Sequence, residues 1–224
     1  MIALLVLLTF AVALVIDHII NRQPIPIHDG ETAPAPQPRP RLIPSIVAGF
    51  RVPDNLRYHP GHTWAVEETP EMVRIGIDDL AAKLTAKTDK VQLPQRGQWI
   101  RQGQKVITMQ RDGREVGLVS PIEGTVVDVN DAVTRKPELA HDDPYGEGWL
   151  IRVNAPDAKT NFRNLLGGNI ARRWMDEAAA RLRTLTTAPA AAFAQDGGMV
   201  LDNLLEHLPA EKIEQIEGEL FLTA

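Results

Sequence analysis

Between Pro53 and Asn154, short apolar-alternating runs are broken repeatedly by glycine, proline and Asp-Gly or Asn-Asp pairs, and this rhythm constrains the fold more than any other feature of the chain. Alternation with a period of two buries one face of a strand, whereas a helix needs apolar residues three and four apart over a longer stretch. Val73, Ile75 and Ile77 alternate in this way, and Asp78 then offers a side-chain oxygen to cap a short helix carrying Leu80 and Leu84. Lys90 to Leu93 reads as a further strand, ended by Pro94. Gly97 and Gly103 bracket a piece that runs on to Val106, and Ser120 to Asn130 repeats the pattern, so an internally duplicated, flattened sandwich of hairpins is expected.

The flanks differ in kind. Met1 to Ile16 is almost wholly apolar, and Ile19 and Ile20 extend the run past Asp17 and His18; as a helix this segment reaches roughly 30 Å, just enough to span a bilayer. No Lys or Arg precedes it, which argues for an uncleaved anchor over a secretory signal. Arg22, Arg39 and Arg41 all follow it, so the C-terminal bulk is expected in the cytoplasm. From Gln23 to Pro53 lie eight of the chain's seventeen prolines; each removes an amide donor and pushes its predecessor to extended angles. The expected organisation is therefore a transmembrane anchor over residues 1–20, a proline-rich linker over 21–53, a β domain over 54–158, an amphipathic basic helix over 159–186, and an Ala/Pro break with an acidic helical tail over 187–224.

In the C-terminal third the period changes. Ile170, Trp174, Ala178 and Leu182 recur four apart, with Met175 and Leu185 beside them, and predict an amphipathic helix from Asn161 to Leu185. Five arginines against Asp176 and Glu177 make it basic. Met199 to Leu208 and Pro209 to Leu222 read as two short helices, and Asp202 to Glu219 carries six acids against Lys212. Ile213, Ile216 and Leu220 form a stripe too small to fold alone, which must bury against the basic helix, the domain or another protein.

Several functions are excluded or weakly supported. The net charge of −5 lacks the clustered Lys and Arg excess that nucleic-acid binding needs. Without cysteine there is no disulfide, thiol nucleophile or Cys-ligated metal. His59 and His62 are separated by Pro-Gly with no third ligand nearby, and His141-Asp142-Asp143 reads as a solvated turn; neither is expected to hold a metal. No catalytic triad, P-loop or dinucleotide fingerprint occurs, and no enzyme activity or cofactor is expected.

Several motifs in fixed order resemble the glycine cleavage system H protein, a family with the lipoyl and biotinyl carrier fold. They are His62-Thr63-Trp64, Ile75-Gly76-Ile77-Asp78-Asp79, Leu93-Pro94 followed by Gly97 and Gly103, Ser120-Pro121-Ile122 with Gly124, and Asp143-Pro144-Tyr145-Gly146-Glu147-Gly148-Trp149-Leu150. The resemblance spans Tyr58 to Val153 and implies a mainly β, lipoyl-carrier-like flattened β-sandwich (a barrel-sandwich hybrid) with a short internal helix. To this the chain is expected to add an N-terminal transmembrane helix and C-terminal amphipathic helices.

The resemblance also implies a lysine at a hairpin tip, carrying lipoate as a swinging arm. Counting back from Ser120-Pro121 puts Gly113 at that position, and no lysine occurs from Val106 to Val119. On the residues alone, Asp112-Gly113 between alternating runs is a hairpin turn. Arg114 is no substitute, because its guanidinium stays protonated, and Lys105 lies at the hairpin's foot. The expectation is thus a non-catalytic accessory or assembly subunit of a membrane-associated complex. Its candidate partner contacts are Arg111, Asp112, Arg114 and Glu115 at the tip, Tyr145 and Glu147 in the loop, and Ile213, Ile216 and Leu220 in the tail. A glycine cleavage carrier or regulatory decoy, and an envelope adaptor outside the cytoplasm, remain as alternatives.

Overall fold

The structure is a computed structural model that describes residues 44–86, 88–111, 113–186 and 208–222. The expected anchor over residues 1–20, the linker as far as residue 43, the Ala/Pro break and the helix expected from Met199 lie outside these residues, apart from Leu208. No helix among the described residues is long and apolar enough to cross a membrane.

The order of elements follows the sequence rhythm closely. Strands β1 (Pro44–Val47), β2 (Phe50–Pro53), β3 (Arg57–His59), β4 (Thr63–Thr69) and β5 (Met72–Ile77) precede the short helix α1 (Asp79–Leu84). Then come β6 (Lys90–Gln92), β7 (Trp99–Ile100), β8 (Lys105–Arg111), β9 (Arg114–Val119) and β10 (Gly124–Val129), helices α2 (Asp131–Arg135) and α3 (Glu138–Asp142), and β11 (Ile151–Asn154). Helices α4 (Ala158–Phe162), α5 (Gly168–Thr186) and α6 (Ala210–Phe221) follow. The strands form a hairpin of β1 and β2, a six-stranded sheet in the order β3-β4-β5-β11-β10-β7, and a three-stranded sheet in the order β6-β8-β9. Every strand pairing is antiparallel, and one apolar core collects side chains from both larger sheets and from α1, α5 and α6. The chain is thus mainly antiparallel β with C-terminal helices.

Two boundaries move. The expected linker ran to Pro53, but Pro44 to Pro53 folds as a hairpin whose Phe50 and Val52 are buried. Its prolines stand opposite one another at the open end, where a missing amide removes little pairing, and Ala48 and Gly49 turn the chain at positive φ. The helix expected from Asn161 to Leu185 is broken in two, with Gly168 at φ 53° starting α5 and Leu166 pairing with Tyr58 through both backbone groups (2.8 Å each). The buried stripe of α5 runs through Ala171, Met175, Ala178, Ala179, Leu182 and Leu185, while Ile170 is 64% exposed and Trp174 half-buried. Stripe and helix were legible, but the phase at the N-terminal end depends on where the chain leaves the Tyr58 bridge.

The expected duplication is not a symmetric one. Of the two glycine-bounded pieces, the first splits into β7, which joins the six-stranded sheet against β10, and β8, which pairs with β9 in the other sheet. Gly103, at φ 79°, makes the turn between them.

Candidate functional site

The motif residues of the resemblance are mostly internal braces. Asp78 caps α1 by accepting from the Ala81 amide (2.9 Å), and its other oxygen lies 2.7 Å from His62 Nδ1, both side chains being buried. The His62 ring stacks at 4.6 Å on Trp174 of α5 and meets the edge of Phe221 of α6 at 6.1 Å. Trp64 lies across Gly76 on the neighbouring strand, where an added Cβ would fall 2.5 Å from the indole, and its Nε1 donates to the Pro144 carbonyl (3.1 Å). Trp64 therefore requires a glycine opposite it and an ordered loop beyond it.

That loop is the Asp143 to Leu150 octapeptide. Tyr145 Oη donates to the Arg51 carbonyl (2.6 Å) and accepts from the Asp79 amide (2.9 Å), joining β2 to the start of α1. Arg51 adds a fork to the Asp79 carboxylate (2.8 and 2.6 Å). Burial pushes the Tyr145 phenol well above its usual range, with Tyr58 and the Asp78 and Asp79 carboxylates adding to it, so the group serves as a neutral hydrogen-bonding strut. Asn130 Nδ2 donates to the Glu147 and Trp149 carbonyls (2.7 Å each), fixing the far side of the loop. Tyr145, expected as a partner contact, thus takes its partners within the chain, while Glu147 is exposed.

The hairpin of β8 and β9 is built differently. Arg111 and Arg114 stand opposite one another across its end and Gln110 opposite Glu115; Asp112 lies outside the described residues. Gly113 sits at the tip at φ 78° with nothing within 4 Å of an added Cβ. Arg111 is half-buried and donates to the Ala86 carbonyl (3.1 Å); Arg114 and Glu115 are exposed. Lys105 pairs with Val119 at the foot, its side chain lying across Gly117, where an added Cβ would meet its Nζ at 2.5 Å.

Helix α6 packs beside this hairpin and against α5. Ile216, Leu220 and Phe221 are buried in the core and Ile213 is half-buried, so the expected tail stripe takes its partner within the chain. Arg181 on α5 forks onto Glu219 (2.9 and 2.7 Å), joining the basic helix to the acidic one in cis. Between α6, the hairpin and the end of α1 lies a cleft of about 240 Å³, lined by Leu84, Met109, Val116 and Ile213 and by the charged Arg111, Arg114 and Glu217. Burial pushes the Glu217 carboxyl up to about 7, against the opposing pull of Arg114 and Arg111. The structure therefore gathers Arg111, Arg114 and Ile213 into one site and leaves Tyr145 and Glu147 out of its lining. Glu217 was missed by sequence reasoning, although it stands four residues after Ile213 and so shares its helix face.

The histidines are absorbed locally. His59 Nδ1 accepts from the Gly61 amide (3.0 Å), and burial, with His62 adding, holds its pKa below the usual value. His141 Nδ1 lies 3.0 Å from Asp142 Oδ1. Among the described residues no group of three or more His, Asp or Glu could hold a metal ion.

The sequence model of the family described as "Glycine cleavage H-protein" matches residues 56–178. The probable glycine cleavage system H protein 2 of Sulfurisphaera tokodaii is 35% identical over 131 residues, 56% of this chain and 86% of its own length. The probable H protein of Aeropyrum pernix is 35% identical over 56% of this chain and 88% of its own, and the H protein of Xanthomonas euvesicatoria 35% identical over 51% and 87%. A solved H protein from Mycobacterium marinum aligns over 56% of this chain and 98% of its own, at 25% identity and a TM-score of 0.47. On the family match and these relatives, the chain belongs to the glycine cleavage H-protein family, a family of carrier proteins and not of enzymes.

Proposed function

We propose that this family member works without a covalent acyl arm, as a docking or regulatory partner of the glycine cleavage system to which its relatives' names refer. The observation that carries the reading is Gly113: the tip of the β8–β9 hairpin, where the resemblance calls for a lipoyl-bearing lysine, is a glycine in left-handed geometry. No lysine occurs from Val106 to Val119, and the arginines beside the tip stay protonated and are not acylated. Lys105 starts the strand, about 20 Å below the tip at 3.3 Å per residue, and its side chain lies over Gly117. A scaffold without the arm retains the shape that partner proteins recognise, so it engages them without delivering cargo, as a decoy does.

A second reading, an accessory subunit of a membrane-associated complex, is favoured by the apolar run Met1 to Ile20 and the prolines that follow it, with the folded domain on the cytoplasmic side. Intact mass of the chain purified from its native cells tests the shared premise: an unmodified mass is expected, and a lipoyl adduct on any lysine overturns it. Purification in mild detergent then separates the readings. Glycine cleavage enzymes are expected to co-purify under the first and subunits of another membrane complex under the second, whereas a chain recovered alone and monomeric counts against both.

A further inference from the structure

The cleft beside the hairpin has the makings of a small-molecule site that owes nothing to covalent attachment. Its volume of about 240 Å³ takes roughly ten non-hydrogen atoms at interior packing density. Three separate elements give it apolar walls, Met109 from β8, Val116 from β9 and Ile213 from α6. Two guanidiniums stand together where the strands end. Arg111 is held by the Ala86 carbonyl, while Arg114 is exposed and makes no side-chain hydrogen bond or ion pair among the described residues. A cleft lined about half by apolar side chains, with a paired cationic end, suits an anion with a short hydrocarbon tail: the head takes the planar fork of Arg114, and the tail lies against Met109, Val116 and Ile213.

We propose that this cleft binds a small amphipathic monocarboxylate, its carboxylate on Arg114 and Arg111 and its tail between Met109, Val116 and Ile213. Glu217, in the wall contributed by α6, sets the conditions. When ionised it repels the ligand's carboxylate; when protonated it donates a hydrogen bond to it. The charged groups acting on Glu217 are Arg114 from β9, Arg111 from β8 and Glu214 from its own helix, and the end of α1 and the turn after it present the neutral Leu84, Thr85 and Thr88 to the cleft. Because burial moves the Glu217 carboxyl up to about 7, the ligand is held more tightly at pH 6 than at pH 8.

The proposal does not depend on which proteins the chain docks to, and a titration with small molecules reads it directly. The full-length chain in lipid nanodiscs is titrated calorimetrically with hexanoate, which partitions little into lipid, and heats from protein-free discs are subtracted. Saturable one-to-one binding is expected. Hexylamine and 1-hexanol bind more weakly, and Arg114→Gln weakens hexanoate about tenfold or more while Arg114→Lys keeps part of the affinity. In Glu217→Gln the difference between pH 6 and pH 8 disappears. Because Arg114 is exposed, its variants keep the parent's unfolding temperature, so loss of binding is not loss of fold. No saturable heat above the discs, equal affinity for hexylamine, or an Arg114→Gln variant that binds like the parent overturns the proposal.

Discussion

The two ends of this domain use the same materials to opposite effect. Around Trp64 and Tyr145, glycine is present because there is no room: Gly76 lies under an indole, and Gly148 would place a Cβ 2.3 Å from the Leu139 carbonyl oxygen. Polar groups there are paired across distant segments, with Tyr145 and the Arg51–Asp79 pair both joining β2 to α1. At the β8–β9 hairpin, glycine is present because the backbone turns, and Gly113 has open space around it. Beside it stands the half-buried Glu217, which makes no ion pair among the described residues, in the wall of a cleft that is not filled by side chains. The braced end resists change in any one part, whereas the hairpin's tip, beyond the buried Met109 and Val116, can change a side chain without disturbing the core.

Substitutions at the two glycines test the contrast most directly. Gly76→Ala forces a methyl group into the Trp64 rings, which cannot move without breaking the bond to the Pro144 carbonyl, and is expected to cost about 3 kcal/mol in urea unfolding. A cost under 1 kcal/mol there would show that the braced end yields after all. Tyr145→Phe leaves the Asp79 amide without its acceptor and the Arg51 carbonyl without its donor, and should cost about 2 kcal/mol by the same measurement. Gly113→Ala meets nothing and is strained only by its backbone angle, so about 1 kcal/mol is expected, with Gly113→Asn costing less.

The smallest effect is electrostatic. The folded-state pKa of Glu217, about 7, lies above its usual 4.5, so its contribution to stability is complete below about pH 4.5 and is lost as pH rises through 7. Glu217→Gln, which stays neutral, should therefore melt higher relative to the parent at pH 8 than at pH 5. An unchanged difference between the two pH values would mean that Glu217 is solvated and α6 sits less closely on the hairpin.

Much of the fold was legible before any coordinates. Alternation located β5 and β6 to within a residue or so, β10 falls inside the piece read from Ser120 to Asn130, Asp78 announced its own role as a helix cap, and Asp112-Gly113 announced a hairpin. These are local properties, because strand alternation, capping and turn geometry depend on residues within a few positions of one another. The hairpin hidden inside the proline-rich region was not legible, because Pro44 and Pro53 disfavour pairing unless they occupy its open end. Nor was the breaking of the helix before α5, which depends on Leu166 pairing with Tyr58, more than a hundred positions earlier.

The candidate site divides in the same way. The absence of a lysine from Val106 to Val119 is a property of the sequence alone and needs no folding to be read. That Ile216 and Leu220 bury within this chain, that Arg181 meets Glu219, and that Glu217 comes to face Arg111 and Arg114 across a cleft were decided only by the tertiary structure. An amphipathic stripe specifies that a helix must be covered, but several surfaces satisfy that demand equally well on local grounds. The choice among them is made by long-range packing, which depends on every element already in place.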